Sequence, residues 1–311
     1  METPSRPSDF TTGTFLVLLT VIVWGIQFPL AKHTFDAINS FHSAVFRFSL
    51  PAIILLIALG IREGWPKVFI GKDKFKVLGL GVIGMCGAPS LIFGGLMFTR
   101  PEIAAIIVAT QPLITVLVQR LLGGPKPGIV SLLCVAVAFL GVVTVVTKWQ
   151  TSLEITQTEL LADIMILFGA LCFVVYTIST ARYRHLSNLR LTAWCMCGGA
   201  AANTLLVVIL VSIGLITHPS MEAWLSMKWE LMFLAIVGVL GAMLTWNLGS
   251  KKIGALNAML FINLIPIVTF SIRYWQGYRF EAIELAGAAM VIGALSVQNI
   301  SMRMQSARAV A

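Results

Sequence analysis

Long apolar segments alternate with short polar ones along almost the whole chain. Ten apolar segments hold about 20 residues each, the length of a helix that crosses a hydrocarbon layer of roughly 30 Å. An open strand would leave its backbone groups unpaired in lipid, so each segment is predicted to be a helix. The predicted spans are 12–31, 40–61, 75–98, 103–122, 127–147, 160–180, 192–216, 229–250, 253–275 and 282–302.

The composition indicates a polytopic membrane protein with little chain outside the bilayer. Of the 311 residues, 58% are hydrophobic and only 11% are charged, whereas a soluble domain carries about 25% charged residues. The predicted fold class is therefore an all-α integral membrane protein with ten transmembrane helices. The head of the chain carries Glu2 and Asp9, and no small-residue cleavage site follows, so no cleaved signal peptide is expected.

The lysines and arginines divide unevenly between the two sets of loops. Fifteen of the 22 lie on the face that carries both termini, and Arg47 lies within the second span. Cationic loops stay in the cytoplasm, so both termini are predicted to be cytoplasmic, in a bacterial inner membrane. This bias accounts for the net charge of +9, and no nucleic-acid partner is expected. The six cations of the other face are Lys32, Arg100, Lys148, Lys228, Arg273 and Arg279.

Two proline-centred segments indicate an internal repeat. IAAIIVATQPLITVL in span 4 and LNAMLFINLIPIVTF in span 9 align Pro112 with Pro266, at an offset of 154 residues. The same offset aligns Gly95 with Gly249 in the preceding spans.

Five spans per repeat is an odd number, so the second copy must enter the membrane from the opposite side. This inverted arrangement is typical of secondary transporters. The predicted repeats are residues 12–147 and 160–302, joined by a polar loop of about 148–159.

Further segments resemble a known group of proteins. These are WGIQFPLAK (24–32), HSAVFRF (42–48) and ADIMILFGALCFVVYT (162–177), taken with the two proline-centred spans. Their order and spacing resemble the drug/metabolite transporter superfamily, in its EamA-type branch, from Thr12 to Met302. The resemblance implies two five-helix repeats and secondary transport. One feature departs from it: the ends of spans 4 and 9 read VQRLLGG and RYWQGYR, without the glutamate that such proteins often carry there.

Arg47 is the most unusual residue, because it lies about two turns inside a span. An intramembrane arginine is costly and normally faces the bundle interior or water. As a substrate-binding residue it would hold a carboxylate or phosphate in a bidentate way. As a structural residue it would reach outward or brace backbone carbonyls. The resemblance implies an arginine here across many substrates, which favours the structural role.

Aromatic and amide side chains in the spans predict a pocket near mid-depth. An aromatic wall with a few amides suits a small polar or amphipathic molecule, although amides also hydrogen-bond between membrane helices. The two prolines are predicted hinges, with static kinks as the alternative. The candidate substrate-binding residues beside Arg47 are Trp24, Gln27, Gln111, Tyr176, Trp246, Asn247 and Asn263, and the candidate hinges are Pro112 and Pro266.

Several kinds of chemistry lack a sequence signature. No GxxxxGK[ST] phosphate loop occurs, and no His, Cys or Glu cluster has metal spacing, so no cofactor and no metal are expected. No carboxylate is placed at mid-span: Asp163 and Glu284 lie near span ends, and Glu102 is assigned to a loop.

The sequence therefore predicts a secondary transporter that exports a small metabolite, such as an amino acid or a related compound, by alternating access. The alternatives are an integral membrane enzyme acting on a lipid-like substrate, and a channel or membrane scaffold. An enzyme would need clustered acids, whereas the acids of the outer face are scattered over its loops, so the chain is not expected to be an enzyme. The expected partners are a small-molecule substrate and the lipid bilayer, and a homodimer is left open.

Overall fold

Ten helices, α1 to α10, make up most of the chain in the computed structural model, which describes residues 7–68, 71–122, 128–149 and 156–308. Within these ranges, nine helices are long and apolar enough to cross a membrane, and the last has a shorter apolar part, Ala282–Gln298. The same ranges contain no strand, so the all-α membrane fold class is confirmed. The helices are α1 Pro7–Thr34, α2 Ser40–Glu63, α3 74–96, α4 Pro101–Leu121, α5 Ile129–Thr147, α6 Gln157–Thr180, α7 Asn188–Ser212, α8 Lys228–Ile253, α9 255–275 and α10 Ala282–Arg308.

Polar capping residues set the starts of helices α6 and α7, which differ from the starts predicted from hydropathy. Helix α6 begins after Thr156, whose hydroxyl accepts a hydrogen bond from the Glu159 backbone while the Glu159 side chain bonds back to the Thr156 backbone. Helix α7 begins after Ser187, whose side chain accepts from the Arg190 backbone. The predicted starts at 160 and 192 were therefore too late, because the first turns of both helices are polar. The predicted start of span 5, Pro127, lies outside the described residues.

Helices α4 and α9 are each long enough to cross the membrane, as predicted, and each contains a short interruption near its middle. Helix α4 consists of Pro101–Ala109 and Gln111–Leu121, and helix α9 of Ala255–Phe261 and Leu264–Trp275. Pro112 is the second residue of its new segment, where the absence of an N–H costs no helical bond. Each proline thus lies in the first turn of the second segment, and its predicted role as a hinge stays a prediction.

Helices α3 and α8 each contain a π-helical segment, Val82–Gly87 and Phe233–Gly241. Wider i→i+5 hydrogen bonds mark them: Ala88 donates to the Ile83 carbonyl, and Ala242 donates to the Val237 carbonyl. Such segments are rare, and they occur frequently at functional sites. Both segments end at a glycine, and these glycines are 154 residues apart, the offset found in the sequence.

The same offset relates two close helix crossings. A Cβ added to Gly95 of α3 would lie 2.5 Å from the Ala162 carbonyl oxygen of α6, and one added to Gly249 of α8 would lie 3.0 Å from the Gly13 carbonyl oxygen of α1. Small residues allow such backbone contact in membranes. Each crossing joins a helix of one repeat to a helix of the other, as the predicted repeat fold requires. The exact division into 12–147 and 160–302 stays a prediction, and residues 150–155 of the joining loop lie outside the described residues.

Candidate functional site

A cavity of about 90 Å³ lies between the two repeats, at the level of the α4 break. Four predicted residues line it: Trp24, Gln27, Arg47 and Gln111. Apolar side chains from both repeats complete its wall, so its polar groups face a largely apolar space. The apolar lining includes Phe28, Phe48, Phe93, Phe173, Met243 and Ile265.

The Arg47 side chain is 2% exposed and lies at the edge of this cavity. Its Nη2 atom donates a 2.7 Å hydrogen bond to Oε1 of Gln27, and its guanidinium lies 4.2 Å from the centre of the Phe93 ring. Its Nε atom has no hydrogen-bond partner, and no carboxylate lies within 4.0 Å, among the residues that the structure describes. Buried charges in proteins are normally paired with an opposite charge, and Arg47 differs from this rule.

Gln27 fixes the orientation of Arg47 through helix α8. Its Nε2 atom donates a 2.9 Å hydrogen bond to the carbonyl oxygen of Gly238, which lies inside the π-helical segment. A Cβ on Gly238 would come within 2.8 Å of the Gln27 side chain, so only glycine leaves room for this approach. The predicted contact of Gln27 with substrate stays a prediction; in the structure Gln27 joins Arg47 to the backbone of α8.

A hydrogen-bonded layer lies directly behind the cavity. The Tyr176 hydroxyl lies 3.1 Å from Oδ1 of Asn247, and Nδ2 of Asn247 donates to the Thr192 hydroxyl at 2.9 Å. Trp246 is fully buried and its indole N–H donates to the Thr177 hydroxyl at 3.3 Å. Tyr176, Trp246 and Asn247 therefore have partners within the protein and do not line the cavity itself.

Aromatic contacts tie this layer to the cavity wall. The Trp24 ring lies 5.0 Å from the Trp246 ring and 5.2 Å from the Phe173 ring, the latter edge to face. The Tyr176 ring also packs on Gly84 as Gln27 packs on Gly238, because a Cβ on Gly84 would meet that ring at 2.3 Å. Gly84 and Gly238 are 154 residues apart. Equivalent glycines of the two repeats thus each contact a side chain from the first helix of the other repeat.

Gln111 and Asn263 both leave a buried amide oxygen without a hydrogen-bond partner among the described residues. Gln111 precedes Pro112 at the α4 break and faces the cavity. Asn263 lies at the equivalent break in α9 and does not line this cavity. The unpaired oxygen of Gln111 and the unpaired Nε of Arg47 thus give the residues around this cavity one acceptor and one donor that a ligand can use.

A larger cleft of about 670 Å³ opens at the Lys251 end of the bundle. Asn247 and Thr177 of the hydrogen-bonded layer line this cleft, and neither residue lines the central cavity. The lining residues include Arg184 and Lys251 and no Asp or Glu. Sequence reasoning missed the cleft because its polar residues come from helix ends that are far apart in the chain, including Gln119, Asn188, Ser250 and Asn257.

The opposite, Arg100 end holds a cluster of ion pairs in which the acids are buried and the side chains of Arg100 and Arg273 are 33% and 26% exposed. Arg100 lies 2.7 Å from Glu284 and 3.7 Å from Glu102, Arg273 lies 3.2 Å from Glu102, and Lys148 lies 3.4 Å from Glu284. Both glutamate side chains are 0% exposed. The assignment of Glu102 to a loop was wrong, since it occupies the first turn of α4. These acids are also not scattered, because the fold gathers them around arginines.

Tyr278 belongs to the same cluster. Its hydroxyl accepts a hydrogen bond from Arg100 and donates one to Glu284 at 3.0 Å, and Arg273 lies over its ring. Burial, with the neighbouring Glu284 charge, raises the pKa of Tyr278 although Arg100 opposes this. The phenol therefore stays neutral at physiological pH and serves as a donor.

The geometry defines a multi-pass membrane protein with a central cavity between two repeats, and the comparison with known proteins agrees. The chain belongs to the EamA-like transporter family, whose sequence model matches residues 11–147 and 160–299. A solved crystal structure with 20% sequence identity covers 97% of this chain at a TM-score of 0.68, which supports the fold.

The similar proteins of known sequence are also described as transporters. The uncharacterized transporter YrdR of Bacillus subtilis (strain 168) is 30% identical over 94% of this chain and 92% of its own length. The uncharacterized transporter YyaM of the same organism is 31% identical over 92% of this chain and 93% of its own length. An uncharacterized transporter of Archaeoglobus fulgidus is 22% identical over 82% of this chain and 86% of its own length.

Proposed function

We propose that this protein is a secondary transporter that exports a small metabolite carrying a carboxylate, such as an amino acid or a related compound, by alternating access. The central cavity is the proposed binding site, and the cleft at the Lys251 end is the proposed entrance. We propose no catalytic activity for this chain. Its proposed partners are the substrate and the bilayer of a bacterial inner membrane.

The observation that carries this proposal is the unpaired cation in the cavity wall. Arg47 is buried and lacks a carboxylate partner among the described residues, while its Nε atom is free to donate. A guanidinium binds a carboxylate through two parallel hydrogen bonds. A bound carboxylate would supply the missing counter-charge, so an anionic group on the substrate fits the site.

The order of contacts along α4 supports alternating access. Glu102 lies in the closed cluster, Gln111 lines the central cavity, and Gln119 lines the open cleft. At a rise of about 1.5 Å per residue, Gln111 lies roughly 13 Å along the helix from Glu102 and about 12 Å from Gln119. A site at mid-depth, closed to one side and open to the other, is what a rocking mechanism needs.

The excess of cations in the loops of the Lys251 end supports a cytoplasmic position for that end and for both termini. The cleft would then face the cytoplasm, which fits uptake of a cytoplasmic metabolite for export. The breaks before Pro112 and Pro266 are the proposed hinges, because helical hydrogen bonds are already interrupted there.

Two measurements test the proposal together. Metabolite profiling of medium and cells, from a deletion strain beside an overexpressing strain, should identify a carboxylate-bearing compound that moves outward with expression. Flux of that compound should then be abolished by Arg47→Leu at normal membrane abundance. Arg47→Lys should restore little, because an ammonium is a point charge and not a planar fork.

The rival role for Arg47 is structural, and it gives a different pattern. It predicts that Arg47→Leu lowers abundance and that Arg47→Lys rescues both abundance and flux. Abundance and flux are therefore measured in the same membranes. Arg279→Leu, at an exposed arginine of the other loop set, is the matched control. Full flux in Arg47→Leu at normal abundance would exclude both roles.

A further inference from the structure

We propose that the ion pairs at the Arg100 end form the outer gate of the transport path, and that they separate when this end opens. We call the set of Arg100, Glu102, Lys148, Arg273 and Glu284 the outer cluster. The inference rests on the proposed function, in which the substrate leaves through this end.

The outer cluster joins the two repeats. Arg100 precedes α4 and binds Glu284 of α10 at 2.7 Å, whereas Glu102 of α4 binds Arg273 of α9 at 3.2 Å. Lys148, directly after α5, lies 3.4 Å from Glu284. Every one of these three contacts links a residue of the first repeat to one of the second. Any motion that parts the repeats at this end must therefore break all of them.

Burial makes the cluster an all-or-none contact. Glu102 and Glu284 are both 0% exposed, and each is held by an arginine. A buried carboxylate is stable only while its partners stay in place, because an unpaired buried charge carries a large desolvation cost. Partial opening would leave such a charge unpaired, so the end is stable either closed, with both acids enclosed, or open, with water around each charged group.

The open end of the bundle shows that a cross-repeat ion pair alone does not close a face. Arg190 of α7 lies 2.5 Å from Glu63 of α2, yet these side chains are 19% and 21% exposed and the large cleft lies at the same end. The outer cluster differs because its acids are fully enclosed. It also lies close to the path: Glu102 is six residues, or about 9 Å of helix, from Val108 in the cavity wall.

The experiment measures how often the Arg100 end opens, and it needs no substrate. Val108→Cys, in a chain whose five native cysteines are replaced, reports access to the cavity through its rate of labelling by a membrane-impermeant maleimide. A chain with Arg279→Cys in place of Val108→Cys, at an exposed position near the cluster, identifies the vesicle orientation in which the Arg100 end faces the reagent. In those vesicles, Glu284→Gln should accelerate labelling of the cavity cysteine about tenfold, since it removes a charge from a buried hydrogen-bonded pair.

Two further variants control for damage to the fold. Glu222→Gln makes the same change at an exposed residue of the same loop set and should leave the labelling rate as it is. Glu284→Asp keeps the negative charge beside Arg100 and Lys148, so its labelling rate should stay closer to that of the parent chain than the rate of Glu284→Gln. If Glu284→Gln does not accumulate in membranes, Lys148→Gln at the partly exposed edge of the cluster replaces it, with a smaller acceleration expected.

An unchanged labelling rate in the cluster variants at normal abundance would overturn the gate, and so would equal acceleration by Glu222→Gln. Flux is measured separately. If labelling responds as expected while no metabolite moves with expression, the proposed function fails and the gate stands. If a metabolite is exported but labelling does not respond, the gate fails and the proposed function stands.

Discussion

Gln27 accepts a hydrogen bond from Arg47 at 2.7 Å, and its other amide atom donates to the Gly238 carbonyl at 2.9 Å. Three helices, α1, α2 and α8, therefore meet at one amide. The position of the cavity cation depends on a backbone group of the opposite repeat. A shift of α8 relative to α1 is expected to turn the guanidinium, which would link the proposed movement of the repeats to the proposed binding site.

Replacing Gln27 with glutamate should give Arg47 a permanent counter-ion. We expect Gln27→Glu to reach at least wild-type abundance and to lose flux of the anionic substrate about tenfold, because the introduced carboxylate competes for the cation; a hydrogen bond to a charged group is worth roughly 1.5–3 kcal/mol. Flux of the identified metabolite and membrane abundance are the measurements. Wild-type flux in this variant would show that the substrate does not use Arg47.

Adding one methyl group to Gly238 should uncouple Gln27 from α8. The new Cβ would lie 2.8 Å from the Gln27 side chain, closer than real contacts allow. Gly238→Ala is expected to lower flux about tenfold, with a smaller loss of abundance, because the end of the glutamine can move but its hydrogen bond is lost.

Gly241→Ala is the matched control in the same π-helical segment, since its Cβ would meet only the Ile236 carbonyl, at 3.4 Å. This variant should keep most of the flux. Equal losses in the two alanine variants would argue against a specific role for the Gly238 contact.

The α1–α8 crossing should be sensitive to side-chain volume. Gly249→Ala places a Cβ 2.6 Å from Val17 and 3.0 Å from the Gly13 carbonyl, so we expect a destabilisation of about 1–3 kcal/mol and a lower melting temperature in detergent. Gly293→Ala, whose added Cβ would meet no described side chain and no other helix within 4 Å, should be neutral or stabilising by about 0.5–1 kcal/mol. A melting temperature unchanged by Gly249→Ala would contradict the close crossing.

The orientation can be read with alkaline phosphatase, which is active only outside the cytoplasm. A fusion at Ala311 should be inactive, and a fusion within loop 148–159 should be active, because the fifteen cations of the face with both termini retain it inside. The reverse pattern of activities would refute the proposed orientation and with it the assignment of the Arg100 end as the exit.

The sequence was sufficient for the helices and the repeat, because lipid requires apolar segments of a fixed length and the second copy preserves its spacing. It was not sufficient for the interruptions inside helices. Val82–Gly87 is as apolar as any α-helical segment, and only its i→i+5 hydrogen bonds distinguish it. Likewise, Pro112 indicates a disturbance, but the surrounding packing decides whether the helix bends or restarts.

The candidate site was likewise predicted only in part from the sequence. Trp24, Gln27, Arg47 and Gln111 were recognised as polar or aromatic residues within apolar spans, and they line one cavity. The outer cluster was missed because Glu102 and Glu284 lie 182 positions apart in the chain and each adjoins a loop. Acids near helix ends are usually solvated, and only the fold brings Arg273 to Glu102 and Arg100 to Glu284.

The matched π-helical segments bear on how the two repeats are held together. Both end at glycines 154 residues apart, and each brings a glycine, Gly84 or Gly238, against a side chain from the first helix of the other repeat. The molecule therefore has two equivalent points of contact between its halves, with different side chains in them. The contact at Gly238 is a hydrogen bond from Gln27, and the contact at Gly84 is packing against the Tyr176 ring. The same backbone arrangement thus serves a polar contact in one half and an aromatic contact in the other.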